Sequence, residues 1–230
     1  MTNRGADKSL RKAALVAGLG LLIMTIFAVG AIYFSFPRLI VAGDAAATAN
    51  NIITDGFLFR VGIGSLVIVM VCDVVVAWAL YIFLEPVDRN LSLLTAWFRL
   101  VYSMILGVAL FNYVDVLRLL SGADYLKMVE KDQLHAQVML SLNAVDDEWA
   151  IGLVFFGIHL ALLGYLVLKS HYVPRILGVV IIVAGFAYLI DNLGMVLIPD
   201  YDFGIATFLG WGELLFMLWL LFRGVRVQQF

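Results

Sequence analysis

Charge is scarce in this chain, and so are cysteine, proline and histidine. Of its 230 residues only 14% are Asp, Glu, Lys or Arg, about half the share that coats an average soluble domain. A water-facing surface cannot be built from so few charges, which leaves lipid as the solvent. The single cysteine, Cys72, excludes an intrachain disulfide and any cysteine-based zinc or iron–sulfur centre. Only three histidines are present, whereas intramembrane zinc hydrolases use several, and a site of one His with carboxylates is a weak match for zinc. No basic block exists: the formal charge is −2 and the Lys and Arg are dispersed, so nucleic acid has no electrostatic footprint to meet. There is no H-E-x-x-H, no serine–histidine motif and no Gly-rich phosphate loop. Gly18-x-Gly20 and Gly62-x-Gly64 fall inside apolar runs and read as packing glycines. All four prolines, Pro37, Pro86, Pro174 and Pro199, stand at the ends of such runs, where proline belongs.

Apolar residues are what the chain has instead, 63% of it, with a mean hydropathy of +1.01. They gather into six runs, at 13–36, 61–84, 91–117, 149–168, 175–198 and 205–222. Each can cross roughly 30 Å of hydrocarbon as a helix, and none as anything else without exposing backbone to lipid. The expected fold is all-α: one integral membrane domain, a bundle of six transmembrane helices. The first run follows Arg4, Lys8, Arg11 and Lys12 and is longer than the roughly 7–15 apolar residues of a signal peptide, so it reads as a span.

Lys and Arg set the orientation. Arg4, Lys8, Arg11, Lys12, Arg89, Arg99, Lys169, Arg175, Arg223 and Arg226 fall on one side, and Arg38, Arg60, Arg118, Lys127 and Lys131 on the other. Ten against five of the 15 places both termini in the cytoplasm. The acidic stretches 144–148 and 199–202 then lie outside. Aromatic residues near both boundaries, Trp78, Trp97 and Trp219 within and Tyr33, Trp149 and Tyr201 without, form the expected belts. Short connections at 85–90 and 169–174 predict antiparallel hairpins of the second and third, and the fourth and fifth, helices. On the outer side, 44–56 reads as a short helix with Asp44 as its N-cap and Gly56 as its stop. The longer 121–148 carries an amphipathic face of Leu134, Val138, Leu142 and Val145, expected to lie in the interface or over the bundle mouth. His135 and His171 read as loop residues.

Ionisable groups at membrane depth are costly, ~3 kcal/mol at the bilayer centre, so each one asks for an explanation. Asp73, His159 and Glu213 sit near mid-span in the second, fourth and sixth helices, and Arg99 in the inner part of the third. Asp191 and Asn192 lie in the outer third of the fifth, on a small, polar seam with Gly178, Ala184, Gly185 and Tyr188. Gly157, Ala161 and Gly164 make a close-packing edge on the fourth helix. These six polar residues are the candidates for an interior pocket. The plainer readings are that Arg99 snorkels to the boundary, that the carboxylates tie helices together, and that Asp115 and Arg118 are a local ion pair.

Several phrases, taken together and in order, carry a family likeness: GDAAATANNI at 43–52, EPVDRNLSLL at 85–94, FRLVYS at 98–103, GLVFFGIHLALLGYLV at 152–167 and PRILGVVIIVAGFAYLID at 174–191. In these the chain resembles the bacterial membrane family catalogued as domain of unknown function 4386 (DUF4386). The resemblance implies a polytopic protein of the bacterial inner membrane and brings no activity or cofactor with it. Arg99, His159 and Asp191 all fall within the family phrases. Three functional readings stand from the sequence: a protein that binds, senses or moves a small or amphiphilic ligand through a polar pocket, an intramembrane enzyme using His159 with carboxylates, and a structural or regulatory partner. Nothing among the residues argues for the enzyme. Unbroken, proline-free helices weigh against a transporter built on discontinuous ones. The expected partners are membrane lipids and a small amphiphile.

Overall fold

The computed structural model describes residues 3–199, 201 and 203–224, with side chains from residue 9 onward. Arg4, Lys8 and Arg226 of the inner-side cations, and Asp200 and Asp202 of the outer acidic stretch, therefore lie outside the described side chains. Every regular element among the described residues is a helix. Eight are α-helical: α1 Asn3–Val29, α2 Ala45–Thr54, α3 Gly56–Leu84, α4 Arg89–Leu119, α5 Lys131–Lys169, α6 Arg175–Leu197, α7 Ile205–Leu209 and α8 Gly212–Phe222. Six segments are long and apolar enough to cross a membrane: Ser9–Arg38, Gly56–Leu84, Arg89–Leu119, Lys131–Lys169, Arg175–Leu197 and Ile205–Phe222. They correspond one to one with the six apolar runs.

Four local features differ from the reading of the sequence. The first span widens at its end into a π-helical turn at Gly30–Ser35 and closes in a 3-10 turn at Phe36–Arg38, where Pro37 prevents a longer helix. Asp44 does cap α2, accepting from the Ala47 N–H at 2.8 Å, but Gly56 is not a stop. The chain turns at Asp55 instead, whose carboxylate accepts from the Leu58 N–H at 3.0 Å and so caps α3 directly. Nor is 131–148 a separate interfacial helix: α5 runs unbroken for 39 residues, ~58 Å at 1.5 Å per residue, and His135 is helical. Lastly, the sixth span is discontinuous, α7 giving way to α8 at Gly210 and Trp211.

The chain divides into two compact units whose boundary falls inside α1, α3, α4 and α5. The unit of residues 24–70 and 105–149 is organised around Phe36, Phe59 and Tyr113. Phe36 stacks on Tyr113 at 4.6 Å, and Phe59 meets both edge-on. Val138, Leu142 and Val145 of α5 are buried in this core with Ile52, Leu66 and Leu110, which gives the amphipathic face its covering. Asp115 and Arg118 pair at 3.0 Å on its exposed surface.

The unit of residues 1–23, 71–104 and 150–230 holds the polar residues. Its tightest seam is between α5 and α6. A Cβ placed on Gly164 would lie 2.6 Å from the Gly178 carbonyl oxygen, and one on Gly185 2.7 Å from the Ala161 backbone nitrogen. Only glycines permit two helices this close. Gly212 extends the seam, because a Cβ there would stand 2.9 Å from the Ile181 Cα, so α8 lies equally close on α6. At one end of this unit the connections of α3–α4 and α5–α6 meet: Tyr172 donates to the Phe83 carbonyl at 2.5 Å, and Lys169 lies 4.0 Å from Asp88. Burial raises the Tyr172 phenol above its ordinary pKa. Phe83 also faces Trp219 of α8, and beyond α8 Gly224 approaches Ala14 of α1.

Candidate functional site

Arg99 is fully buried on the inward face of α4, in one stripe with Ser92, Thr95, Tyr102 and Leu106. That stripe has helical spacing, which is why the charge is carried inward instead of toward the boundary; the side chain does not snorkel. Three helices supply its partners. Its Nε donates to Asp73 Oδ1 of α3 at 2.7 Å, with both side chains 0% exposed. Its Nη1 donates to Glu213 Oε1 of α8 and lies 3.0 Å from His159 Nε2 of α5. Four of the six candidates thus come together around one guanidinium.

The histidine's state follows from its partners. Nδ1 lies 2.9 Å from the Thr95 carbonyl oxygen, which only accepts, so Nδ1 carries the proton. Nε2 faces a guanidinium, which only donates, so Nε2 offers its lone pair. His159 is neutral in this arrangement and fixes the guanidinium's orientation. Protonating it would set two donors against each other.

Aromatic rings surround the charges. Phe156 lies 5.7 Å from the guanidinium carbon, stacks on His159 at 5.8 Å and meets Tyr102 at 5.0 Å and Tyr188 at 5.3 Å. The sequence marks Tyr188 on the polar seam but not its convergence with Tyr102 and Phe156. A signal for it exists, since Tyr102 stands three residues after Arg99 and Phe156 three before His159, on the same helical faces. Counting charges, two carboxylates and one guanidinium with a neutral histidine leave one carboxylate in excess. Asp73 Oδ2 is buried and has no hydrogen-bond partner among the described residues. Glu213 is the one member in contact with the surface, its side chain 17% exposed. Among the described residues no three His, Cys, Asp or Glu side chains converge as metal ligands do, because the guanidinium occupies the centre on which they would meet.

Asp191 and Asn192 are placed elsewhere in the same unit. Asp191 ties down the connection between α6 and α7, accepting from the Tyr201 hydroxyl at 3.0 Å and the Ala206 N–H at 2.5 Å. The Tyr201 phenol is raised, first by desolvation and then by that bond to the carboxylate. Its ring lies over Gly194, where a Cβ would be 2.5 Å away. Asn192 donates to the Tyr188 carbonyl one turn back at 2.8 Å. Neither residue bonds to Arg99.

Comparison with known proteins places these residues in a wider set. The family model described as domain of unknown function (DUF4386) matches residues 16–224, which includes Asp73, Arg99, His159 and Glu213. An uncharacterized protein of Archaeoglobus fulgidus is 35% identical over 162 residues, covering 70% of this chain and 83% of its own. No solved structure matches.

Proposed function

This chain belongs to the family described as domain of unknown function (DUF4386), and on that footing we propose that it is a multi-pass protein of the cell membrane that binds or moves a small or amphiphilic ligand at the Arg99 site. Both ends are assigned to the cytoplasm. The Lys and Arg asymmetry supports this, and the approach of Phe83 to Trp219 and of Gly224 to Ala14 supports placing the end of α8 on the same side as the 85–88 and 170–174 connections.

One observation carries the ligand reading: a fully buried arginine held by two carboxylates and a histidine, one of the carboxylates reaching the surface. A purely structural cross-link between helices is served by one matched pair. This cluster has an unmatched carboxylate, an unpartnered buried oxygen and a lining of aromatic rings, which are features of sites that take something up. The discontinuity before Glu213 further supports it, since broken helices near midspan are where transporters place their sites.

His159→Gln is the discriminating test, because glutamine keeps an acceptor for Arg99 but cannot also reach the Thr95 carbonyl. Molecules that co-purify with the wild-type protein are identified by mass spectrometry and measured again in the variant. A ligand site predicts their loss with the melting temperature nearly unchanged. A lower melting temperature with the same molecules still bound assigns the cluster to holding the helices together.

A further inference from the structure

We propose that the ligand of this site is an organic acid with an apolar body, and that Glu213 is a resident carboxylate which the ligand's acid group displaces from Arg99. The proposal rests on the reading of the Arg99 cluster as a ligand site and adds the chemical class of what enters it.

Asp73, His159 and Glu213 are not equivalent as partners of Arg99. Asp73 and His159 are 0% exposed and come from α3 and α5, helices of 29 and 39 residues that run on without a break through these positions. Glu213 differs in both respects. Its side chain is 17% exposed, and it stands in the first turn of α8, immediately after the interruption at Gly210 and Trp211. A first-turn residue lacks the backbone N–H bonding that locks a helix interior. Glu213 is thus the partner that can leave while the guanidinium stays in place, oriented by Asp73 on Nε and by His159 on Nη1.

The vacated position is shaped for a carboxylate, because a carboxylate holds it now. Arginine's fork of donors favours planar oxyanions over other groups, and within a desolvated site that preference is strong. The exchange replaces one carboxylate by another at the guanidinium, so the charge directly around Arg99 is the same before and after. Asp73 Oδ2 remains a buried acceptor without a partner among the described residues, available to a donor on the ligand. Phe156, Tyr102 and Tyr188 flank the cluster and give the guanidinium an apolar, aromatic surround. An acid group alone would waste that apolar approach, whereas an acyl chain would lie along it. A cation would be drawn to the carboxylates and not to the guanidinium, so a cationic probe of equal chain length separates the two classes.

The test uses the full chain in nanodiscs of phosphatidylcholine, with dodecanoate as the probe and dodecanol and dodecyltrimethylammonium as controls of equal chain length. Glu213→Gln keeps the size of the side chain and removes the competing charge. Dodecanoate is expected to bind this variant at least tenfold more tightly than wild type, with the two controls unchanged. Glu213→Ala, which also removes this carboxylate from Arg99, should show the same gain and guards against a folding effect particular to glutamine. An equal gain for dodecanol overturns the acid class while leaving a ligand site in place. No gain for any probe in either variant overturns the displacement, and the His159→Gln result then judges the site independently.

Discussion

Arg99 holds its charge at membrane depth with anions on Nε and Nη1 and a lone pair from the imidazole. Removing the guanidinium alone would leave Asp73 and Glu213 facing each other without a counter-ion. Arg99→Met should therefore lower unfolding stability by ~3–5 kcal/mol in a detergent unfolding titration. Adding Asp73→Asn and Glu213→Gln to that variant should recover most of the loss, since the repulsion goes with the charges. A triple variant as unstable as the single one would mean that shape, not charge, holds the cluster. Asp191 gives the contrasting case. Asp191→Ala forfeits two accepted bonds, from Tyr201 and from the Ala206 N–H, at a cost of ~1–3 kcal/mol. Dodecanoate binding should be unaffected by it. That the cost of burying charge singles out Asp73, Arg99, His159 and Glu213 was legible in the sequence. Helical phase says which face a residue occupies but not which helix it meets, so the pairing was not legible. Asp191's partners are Tyr201 in an aperiodic connection and the first-turn Ala206 N–H of the short α7, where sequence pattern has little to read.

At the level of elements, the glycine edges were the clearest signal. Gly157, Ala161 and Gly164 on one helix, with Gly178 and Gly185 on the next, have the spacing of two faces that meet, and α5 and α6 do meet there. Gly178→Leu would drive its side chain into Gly164 and Leu168 and should cost ~1–3 kcal/mol or splay the pair, checked by the same titration. The continuity of α5 was also present in the residues. Val138, Leu142, Val145, Gly152, Phe156, His159 and Leu163 are buried at alternating steps of three and four, with partly buried Trp149 filling the gap. This single stripe runs through the acidic 146–148, where Asp146 and Asp147 are exposed and Glu148 accepts from the Asn112 amide of α4 at 2.8 Å. Reading those acids as a boundary split one helix into two. Gly56 misled for a similar reason: a glycine after a helix suggests a left-handed stop, but Asp55 already turns the chain and caps α3. The interruption between α7 and α8 has no proline to announce it. Gly210 stands there, where a Cβ would press first on the Ala206 carbonyl oxygen and then on the Tyr188 ring and hydroxyl, each 3.2 Å away.

For the molecule as a whole, composition and the length of the apolar runs determined the class, since no other fold satisfies that much apolar surface and that many backbone groups in lipid. Orientation is a separate matter and has its own test. In a Cys72→Ala background, a cysteine at Asp132, exposed at the start of α5, should react with a membrane-impermeant reagent in intact cells. One at His171, exposed in the connection between α5 and α6, should react only after the cells are opened. The reverse pattern would turn the protein over and place its termini outside.

The charge cluster also constrains how the protein can be made. A lone aspartate in a span resists insertion by ~2.5–3.5 kcal/mol, and Asp73 is the first such group to leave the ribosome. Its counter-ion follows only 26 residues later, about 1–5 s of synthesis, across a short connection. The two helices can therefore enter the bilayer as a neutral hairpin, cation and anion already matched. The histidine and the glycine seam arrive afterwards without adding charge. Glu213 emerges 114 residues behind Arg99, when the guanidinium has long been neutralised. The surplus carboxylate is delivered last, by the final helix, to a membrane assembly that was electrically complete without it.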